Sequence, residues 1–132
     1  MDVIYVDEEW GNVDWNKMRE SVEDRVMLRA GYGGGVIDVQ FRKNAQSCND
    51  MGIPFGVYWL SYALTPEMAE EEARHCMETV EEYEVSGPVE LEFDASSVRY
   101  AQSKGVMVTP EYVALLKKSF QRKIKEMGLK KS

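Results

Sequence analysis

The sequence predicts an α/β fold, a (βα)4 unit built on a parallel sheet. Four short apolar runs recur along the chain, and each is followed by a segment whose apolar residues have helical spacing. Two helix starts read Thr-Pro-Glu, at 65–67 and 109–111. In both, Thr caps the helix, Pro takes its first position and Glu lies at its positive end. Repeated strand–helix units imply parallel strands joined by right-handed crossovers.

Each element follows from a local pattern. The glycine-rich segment 31–35 is expected to be a flexible loop, and it lacks the Gly-Lys-Ser/Thr of a phosphate loop. The run 55–60 is apolar on both faces, as a buried parallel strand should be. In chain order, we predict strands at 3–6, 26–30, 55–60 and 89–93, and helices from Trp15 with Asp14 as cap, at 41–51, from 66 to about 83, and from 110 onward.

Composition predicts one globular domain over residues 1–132. The chain is 44% hydrophobic and 30% charged, with a formal net charge of −7. This negative charge disfavours binding to nucleic acids or anionic membranes. We find neither a secretory signal pattern nor an apolar run of about 18 residues, and therefore expect no membrane span.

The charge is uneven along the chain. After position 116 there are seven Lys and Arg residues against one Glu, so this end carries +6 and residues 1–116 carry −13. The basic last helix is either a solvated helix face or a patch that neutralises acidic groups within the chain or in a partner.

The cysteines predict neither a disulfide nor a metal site. Cys48 and Cys76 both fall in predicted helices, without metal-ligand spacing around them. His75 is the only histidine, which leaves too few ligands for a His/Cys metal site. Neighbours on a helix point in different directions, so a Cys–His nucleophile pair is not expected either. We interpret both cysteines as core or surface residues.

Two carboxylates at the end of the fourth predicted strand form the candidate catalytic pair. Glu92 and Asp94 lie at i and i+2, so their side chains share one face, with Cα atoms about 7 Å apart. Catalytic carboxylates of α/β folds lie at such strand ends. Glycoside hydrolysis needs such a pair, one group to donate a proton and one to attack, activate water or stabilise charge. The alternative is a pair of solvated acidic residues.

Five segments of the chain carry a family resemblance. They are Gly-Asn-Val-Asp-Trp at 11–15, Arg-Ala-Gly-Tyr-Gly-Gly-Gly at 29–35, Asp-Val-Gln-Phe at 38–41, Gly-Ile-Pro-Phe-Gly-Val-Tyr-Trp-Leu-Ser-Tyr-Ala at 52–63 and Val-Arg-Tyr-Ala at 98–101. In this order they resemble the N-terminal part of glycoside hydrolase family 25, the Chalaropsis-type lysozymes. The similarity extends over nearly the whole chain.

The resemblance implies an irregular β/α barrel that cleaves the β-1,4 bond between N-acetylmuramic acid and N-acetylglucosamine, without a metal or organic cofactor. Peptidoglycan or its sugar fragments are the expected partner, and a secreted or phage-released protein is the expected setting. By position, Asp94 replaces the acid of the family and Glu92 its carboxylate partner. Trp59 is expected in the core, and the expected substrate contacts are Tyr32, Tyr58, Tyr62, Arg99 and Tyr100.

The chain departs from the family at two acidic positions. The family has Asp-x-Glu where this chain has Glu92-Phe93-Asp94, which moves each carboxylate by about one methylene. A misplacement of ~1 Å can cost on the order of 10²-fold in rate. An alignment without gaps places Tyr5 at the family's first-strand Asp. A small gap places Asp7 there instead, and Asp7 faces the same side as Tyr5. We therefore expect catalysis to be impaired or absent.

The family domain is longer, so the chain resembles half of its barrel. Two copies could close the open strand edges as a homodimer, or the sheet could flatten into a flavodoxin-like arrangement. Two functions compete. One is a muramidase with Asp94 as acid, its pKa raised by burial near Phe93 and by the second carboxylate, and with Asp7 assisting. The other is a self-associating scaffold or a sugar-binding remnant. The substituted acidic positions together with the shortened barrel suggest an engineered protein.

Overall fold

Five strands and five α-helices are distributed along residues 3–128, the part of the chain that the computed structural model describes. The strands are β1 (Ile4–Val6), β2 (Val26–Tyr32), β3 (Val36–Ile37), β4 (Phe55–Leu60) and β5 (Val89–Glu92). The helices are α1 (Trp15–Ser21), α2 (Phe41–Met51), α3 (Pro66–Val80), α4 (Ala95–Ser103) and α5 (Pro110–Gly128), with a 3₁₀ helix at Glu8–Trp10. The predicted α/β class with its parallel sheet is confirmed.

The parallel strands lie side by side in chain order, β1-β2-β4-β5. Right-handed crossovers between neighbouring parallel strands place the connecting helices on one face of the sheet. A flavodoxin-like sheet instead changes direction at a switch point and carries helices on both faces. The observed order is that of half a β/α barrel, so the flattened alternative is wrong.

The helix-covered face of the sheet contains the core. Alternate residues of each strand point to this face, as a period of two requires. The fully buried side chains include Val6, Val26, Leu28, Phe55, Val57 and Trp59 from the strands and Phe41, Cys48, Cys76, Leu116 and Phe120 from the helices. The indole N–H of Trp59 donates to the carbonyl of Gly33 at 2.9 Å. The predicted core role of Trp59 is confirmed, and both cysteines, interpreted as core or surface residues, lie in the core.

The glycine-rich segment is a hairpin turn, which corrects the expectation of a flexible loop. β2 continues through Tyr32, and β3 returns antiparallel beside it with Val36 opposite Tyr32. Gly33 has a φ of +60°, in the left-handed region that favours glycine. A Cβ on Gly31 would overlap the carbonyl of Val36 and the ring of Trp59. The glycines therefore allow the hairpin to lie directly against the tryptophan.

Helix α4 was not predicted from the sequence. It is short and polar and has no sustained apolar spacing, so the usual signal of a helix is missing. Its start is fixed by a capping box, in which Asp94 accepts from the backbone N–H of Ser97 and the hydroxyl of Ser97 accepts from the backbone N–H of Asp94. Two predicted ends also shift, because α3 ends at Val80 and β5 ends at Glu92.

Helix α5 carries most of the basic end of the chain. Its residues Lys117, Lys118 and Lys125 are exposed, and Arg122 pairs with Glu70 of α3 at 2.8 Å. The helix face is thus largely solvated, with one ion pair to the acidic part of the chain. Lys123 pairs with Glu126 of the same helix at 3.7 Å, and the lysines at 130 and 131 lie outside the described residues. Within residues 3–128, no helix is both long and apolar enough to cross a membrane.

Candidate functional site

The sheet face opposite the helices, which we call the open face, carries polar and aromatic side chains. They alternate with the core residues along the strands and include Tyr5, Arg29, Tyr58, Glu90 and Glu92. The rings of Tyr5 and Tyr58 meet edge to face at 5.4 Å, a contact from β1 to β4 across β2. Burial and the nearby carboxylate of Glu90 on β5 raise the pKa of Tyr5. Side chains of β1, β4 and β5 thus interact with one another on the open face.

The three predicted catalytic carboxylates gather at the carboxyl-terminal rim of the open face, and we call them the rim carboxylates. Glu92 ends β5, Asp94 follows two residues later, and Asp7 follows β1. Asp7 also caps the 3₁₀ helix, accepting from the backbone N–H of Glu9 at 2.9 Å. Tyr5 lies inside β1 and is 48% exposed on the open face. Tyr5 and Asp7 are the two alternatives for the first-strand Asp of the family, and Asp7 is thus the one at the rim.

Their surroundings shift the pKa values of the two predicted catalytic carboxylates in opposite directions. Burial raises the pKa of Glu92, and the charges of Asp94 and Asp7 raise it further, against Arg29 and Lys117, which lower it. The pKa of Asp94 is lowered, because hydrogen bonds from Ser96 and Ser97 outweigh the opposing effect of its burial. The expectation that Asp94 has a raised pKa is therefore wrong. Its position at the start of α4 supplies donors that the sequence pattern did not reveal.

Three tyrosines predicted to contact substrate lie together above the rim, and we call them the tyrosine cluster. The rings of Tyr32 and Tyr62 are 6.4 Å apart and those of Tyr62 and Tyr100 are 5.5 Å apart, both edge to face. Arg29 lies 5.1 Å from the centre of the Tyr32 ring and Lys104 lies 5.6 Å from that of Tyr100. The cluster joins the ends of β2, β4 and helix α4.

A hydrogen-bonded serine connects the tyrosine cluster to the rim carboxylates. The hydroxyls of Tyr62 and Ser96 are 2.9 Å apart, and the hydroxyl of Ser96 donates to Asp94 at 2.6 Å. Sequence reasoning missed Ser96 because its role depends on α4. Asp94 and the tyrosine cluster are thus joined by hydrogen bonds.

Two other predicted contacts have different surroundings. Tyr58 is only 5% exposed, and burial together with the charges of Asp7 and Glu92 raises its pKa. It therefore forms the floor of the site. Arg99 is exposed on α4 next to Tyr100 in the chain. Because a helix turns by about 100° per residue, Arg99 points away from the direction in which Tyr100 meets the cluster.

A buried ion pair, also missed from the sequence, supports the rim. Arg29 pairs with Asp38 at 2.9 Å, and Asp38 is 1% exposed. The carboxylate of Asp38 also accepts from the backbone N–H groups of Glu8 at 3.0 Å and Gln40 at 2.8 Å. Arg29 is the one charged residue within an otherwise apolar β2, which is a signal that could have drawn attention to it.

A second buried carboxylate anchors the loop that carries Tyr62. Glu72 on α3 accepts from the hydroxyl of Ser61 and from the backbone N–H of Tyr62, both at 2.8 Å. It is 3% exposed, and burial raises its pKa to about 7, against the lowering effect of these two bonds. Among residues 3–128, no three His, Cys, Asp or Glu side chains are placed to hold a metal ion.

Comparison with known proteins adds a family and several similar structures. A family model described as glycosyl hydrolases family 25 matches residues 4–127. No curated protein matches the chain. The chain is similar to the modular autolysin LytC from Streptococcus pneumoniae, solved in complex with a synthetic peptidoglycan ligand. The identity is 25% and the TM-score 0.76, covering 96% of this chain and 30% of that one.

Two further structures have the same fold. A family 25 glycosyl hydrolase from Bacillus anthracis is 18% identical with a TM-score of 0.72, covering 93% of this chain and 54% of that one. The catalytic domain of endolysin ply40 from bacteriophage P40 of Listeria monocytogenes is 16% identical with a TM-score of 0.64, covering 79% and 59%. The chain thus spans between 30% and 59% of the length of these three proteins.

Proposed function

Because the chain belongs to glycosyl hydrolase family 25, we propose that it binds peptidoglycan sugars at a muramidase-type site whose hydrolytic activity is impaired. One observation carries the proposal: Ser96 joins the carboxylate of Asp94 to the tyrosine cluster at the rim, and the charge of Asp94 acts on Glu92. Tyrosine rings offer apolar faces to sugar rings, and carboxylates accept hydrogen bonds from sugar hydroxyls. The peptidoglycan ligand bound by the similar LytC supports this choice of substrate.

Impairment follows from the reversed order of the pair. Relative to the Asp-x-Glu that the family resemblance implies, Glu92 is longer by one methylene and Asp94 is shorter by one. A displacement of ~1 Å at a reacting group can reduce the rate on the order of 10²-fold. In addition, hydrogen bonds at the start of α4 already occupy Asp94. Sugar binding depends less on the position of a single proton than hydrolysis does.

The test compares three forms of the chain. Soluble peptidoglycan fragments are titrated by calorimetry, and release of reducing ends from purified cell walls is followed in parallel. We expect wild type to bind and to hydrolyse slowly. The double variant Glu92→Asp/Asp94→Glu restores the family order and should hydrolyse on the order of 10²-fold faster. The matched Glu92→Gln/Asp94→Asn variant should bind without hydrolysis.

Two results would contradict the proposal. If none of the three forms binds the fragments, the site is not a peptidoglycan site. If wild type hydrolyses as fast as the restored variant and loses this activity on Asp94→Asn with its fold intact, the chain is a fully active N-acetylmuramidase that uses Glu92 and Asp94 as they stand.

A non-catalytic self-associating scaffold, natural or engineered, is the second candidate, and an apolar groove favours it. The groove has a volume of about 1080 Å³ and lies between β5 and the end of α5. Among the described strands, β5 is at the edge of the sheet, and Gln121 covers the Val89 carbonyl with a 2.8 Å hydrogen bond. The expected occupant is a second copy of the chain, whose β1 edge meets β5 in a homodimer.

Light scattering on a sizing column at micromolar concentration tests the scaffold. A homodimer through this surface has two signs. The wild-type mass is near twice 15.1 kDa, and Ile124→Glu, a change in the groove, lowers it. A wild-type mass of one chain excludes it. Glu9 follows β1 and lies far from the groove of its own copy. Glu9→Lys therefore tests the β1 edge and should weaken the same dimer.

A further inference from the structure

A chain of hydrogen-bond donors ends on one oxygen of Asp94. The hydroxyl of Ser96 donates to Oδ1 of Asp94 at 2.6 Å, and the backbone N–H groups of Ser96 and Ser97 reach the same oxygen at 2.9 and 3.2 Å. A serine hydroxyl has a single proton, so the hydroxyl of Tyr62 must be the donor in its 2.9 Å contact with Ser96.

The hydrogen bonds of this arrangement all run in one direction, from Tyr62 toward Asp94. Every group in it donates toward Asp94, and donors favour the charged form of a carboxylate. The start of α4 adds its positive end, which also favours negative charge. Protonation of Oδ1 would place a proton against three donors. Oδ2 is outside this set of bonds.

The surroundings of Glu92, in contrast, disfavour its ionised form. Two carboxylates, Asp94 and Asp7, oppose its ionisation, while Arg29 and Lys117 favour it, and burial adds to the opposition. Arg29 is already engaged with Asp38 at 2.9 Å. Glu92 is the carboxyl that lies beside an ionised neighbour and is partly removed from water, so of the pair it binds a proton the more tightly.

We propose that the donor chain from Tyr62 through Ser96 holds Asp94 as the ionised carboxylate of the site, so that Glu92 is the proton donor. Tyr62 and Ser96 are then positioning residues, acting through Asp94. The assignment exchanges the roles that the family resemblance gives to the two positions. It rests on the proposed function, since it concerns the same sugar-cleaving site.

The proposed step balances with water as the only co-reactant. The carboxyl of Glu92 gives its proton to the bridging oxygen as the bond between that oxygen and the anomeric carbon breaks. Ionised Asp94 stabilises the positive charge that develops on the sugar. Water supplies a hydroxyl to the anomeric carbon, and its remaining proton returns to Glu92. Both carboxyl groups end as they began.

Carboxyl NMR titration of the 132-residue chain tests the assignment without any substrate. In wild type, we expect Asp94 to titrate below the usual range of an Asp and Glu92 above that of a Glu. Ser96→Ala should shift the Asp94 titration upward, and Tyr62→Phe should shift it less, because Tyr62 acts through Ser96. Ser96→Thr keeps the hydroxyl and should restore the wild-type value.

Ser103→Ala is the matched control, since Ser103 is on the same helix and donates at 2.6 Å to a backbone carbonyl, that of Tyr100. It should leave the Asp94 titration unchanged. The proposal is overturned if Asp94 titrates above Glu92, or if Ser96→Ala has no more effect than Ser103→Ala. Absence of peptidoglycan binding would instead refute the proposed function, and the titrations of the free protein would still assign the charges.

Discussion

The carboxylate of Glu72 accepts a hydrogen bond of 2.8 Å from the backbone N–H of Tyr62. A buried acidic group on α3 thereby fixes the loop whose tyrosine meets the rest of the tyrosine cluster and Ser96. Ser61 completes the anchor, because its hydroxyl donates to Glu72 and accepts from the backbone N–H of Ala63 at 3.1 Å. The side chain of Glu72 is thus both part of the buried interior and the group that positions Tyr62 in the candidate site.

The free energy of unfolding should decrease as pH rises, because of Glu72. Its pKa is raised from an ordinary value of 4.5 to about 7 by burial, so between these values the folded state binds more protons than the unfolded state. The contribution of Glu72 is therefore fully present below pH 4.5 and is lost as pH rises to about 7, a change of about 3 kcal/mol. Urea unfolding of wild type and Glu72→Gln across this range measures it.

Glu72→Gln mimics the protonated side chain and should remove most of this slope. The control is Glu78→Gln, an exposed residue on the same helix, which should leave the slope unchanged. Equal slopes for wild type and Glu72→Gln would contradict the assignment of the pH dependence to this group.

Loss of the Asp38 carboxylate should destabilise the chain strongly. Asp38→Ala leaves the mostly buried guanidinium of Arg29 with Glu8 at 3.6 Å as its remaining ion pair. Breaking a buried pair by removing one partner costs about 3–5 kcal/mol. Thermal and urea unfolding measure the loss. The control Glu82→Ala removes an exposed pair with Arg42 and should cost at most about 1 kcal/mol. Similar losses for the two variants would show that Asp38 is not a supporting residue.

Gly31→Ala should destabilise the hairpin. The added Cβ would lie 2.6 Å from the ring of Trp59, and overpacking of this kind costs roughly 1–3 kcal/mol. Gly34→Ala is the control, because a Cβ there meets nothing within 4 Å. Urea unfolding compares the two variants, with near-UV circular dichroism reporting the environment of Trp59. A Gly31→Ala protein as stable as Gly34→Ala would mean that the contact relaxes freely.

Tyr100→Ala should weaken binding of soluble peptidoglycan fragments by about tenfold, the loss typical of one aromatic contact in a binding site. Tyr100 is 37% exposed and adjoins Tyr62, so truncation should change the fold little. Trp10→Ala is the control, since Trp10 is 49% exposed and is not part of the tyrosine cluster. Calorimetric titration of both variants separates them. Equal losses would place the sugar elsewhere on the surface.

Local signals predicted most of the fold. Thr65 caps α3 with a 3.1 Å hydrogen bond to the backbone N–H of Met68, and Pro66 opens the helix, as the sequence indicates. The run 55–60 is fully buried in β4. Such features are determined by residues a few positions apart, so a single sequence contains them. Helix α4 and strand β3 were missed because one lacks apolar spacing and the other is only two residues long.

The sequence predicted residues that the structure brings together at the rim, but it did not predict how their surroundings shift the pKa values of Glu92 and Asp94. The positions of Glu92, Asp94 and the tyrosine cluster follow from strand ends and from the family resemblance. The ionisation of the pair depends on which donors face each oxygen, and those donors come from α4. Arg29 and Asp38 were present in matching segments, but their pairing is a contact between two elements.

The sequence by itself determined the alternation of strands and helices, the core, and membership of a family, because these depend on periodicity, capping and ordered motifs along the chain. Only the tertiary structure decided the order of the strands, the burial of Glu72 and Asp38, and the connection from Tyr62 through Ser96 to Asp94. Each of these depends on distances between residues far apart in sequence, and burial and donor geometry set the energy of a charge far more than its position in the chain does.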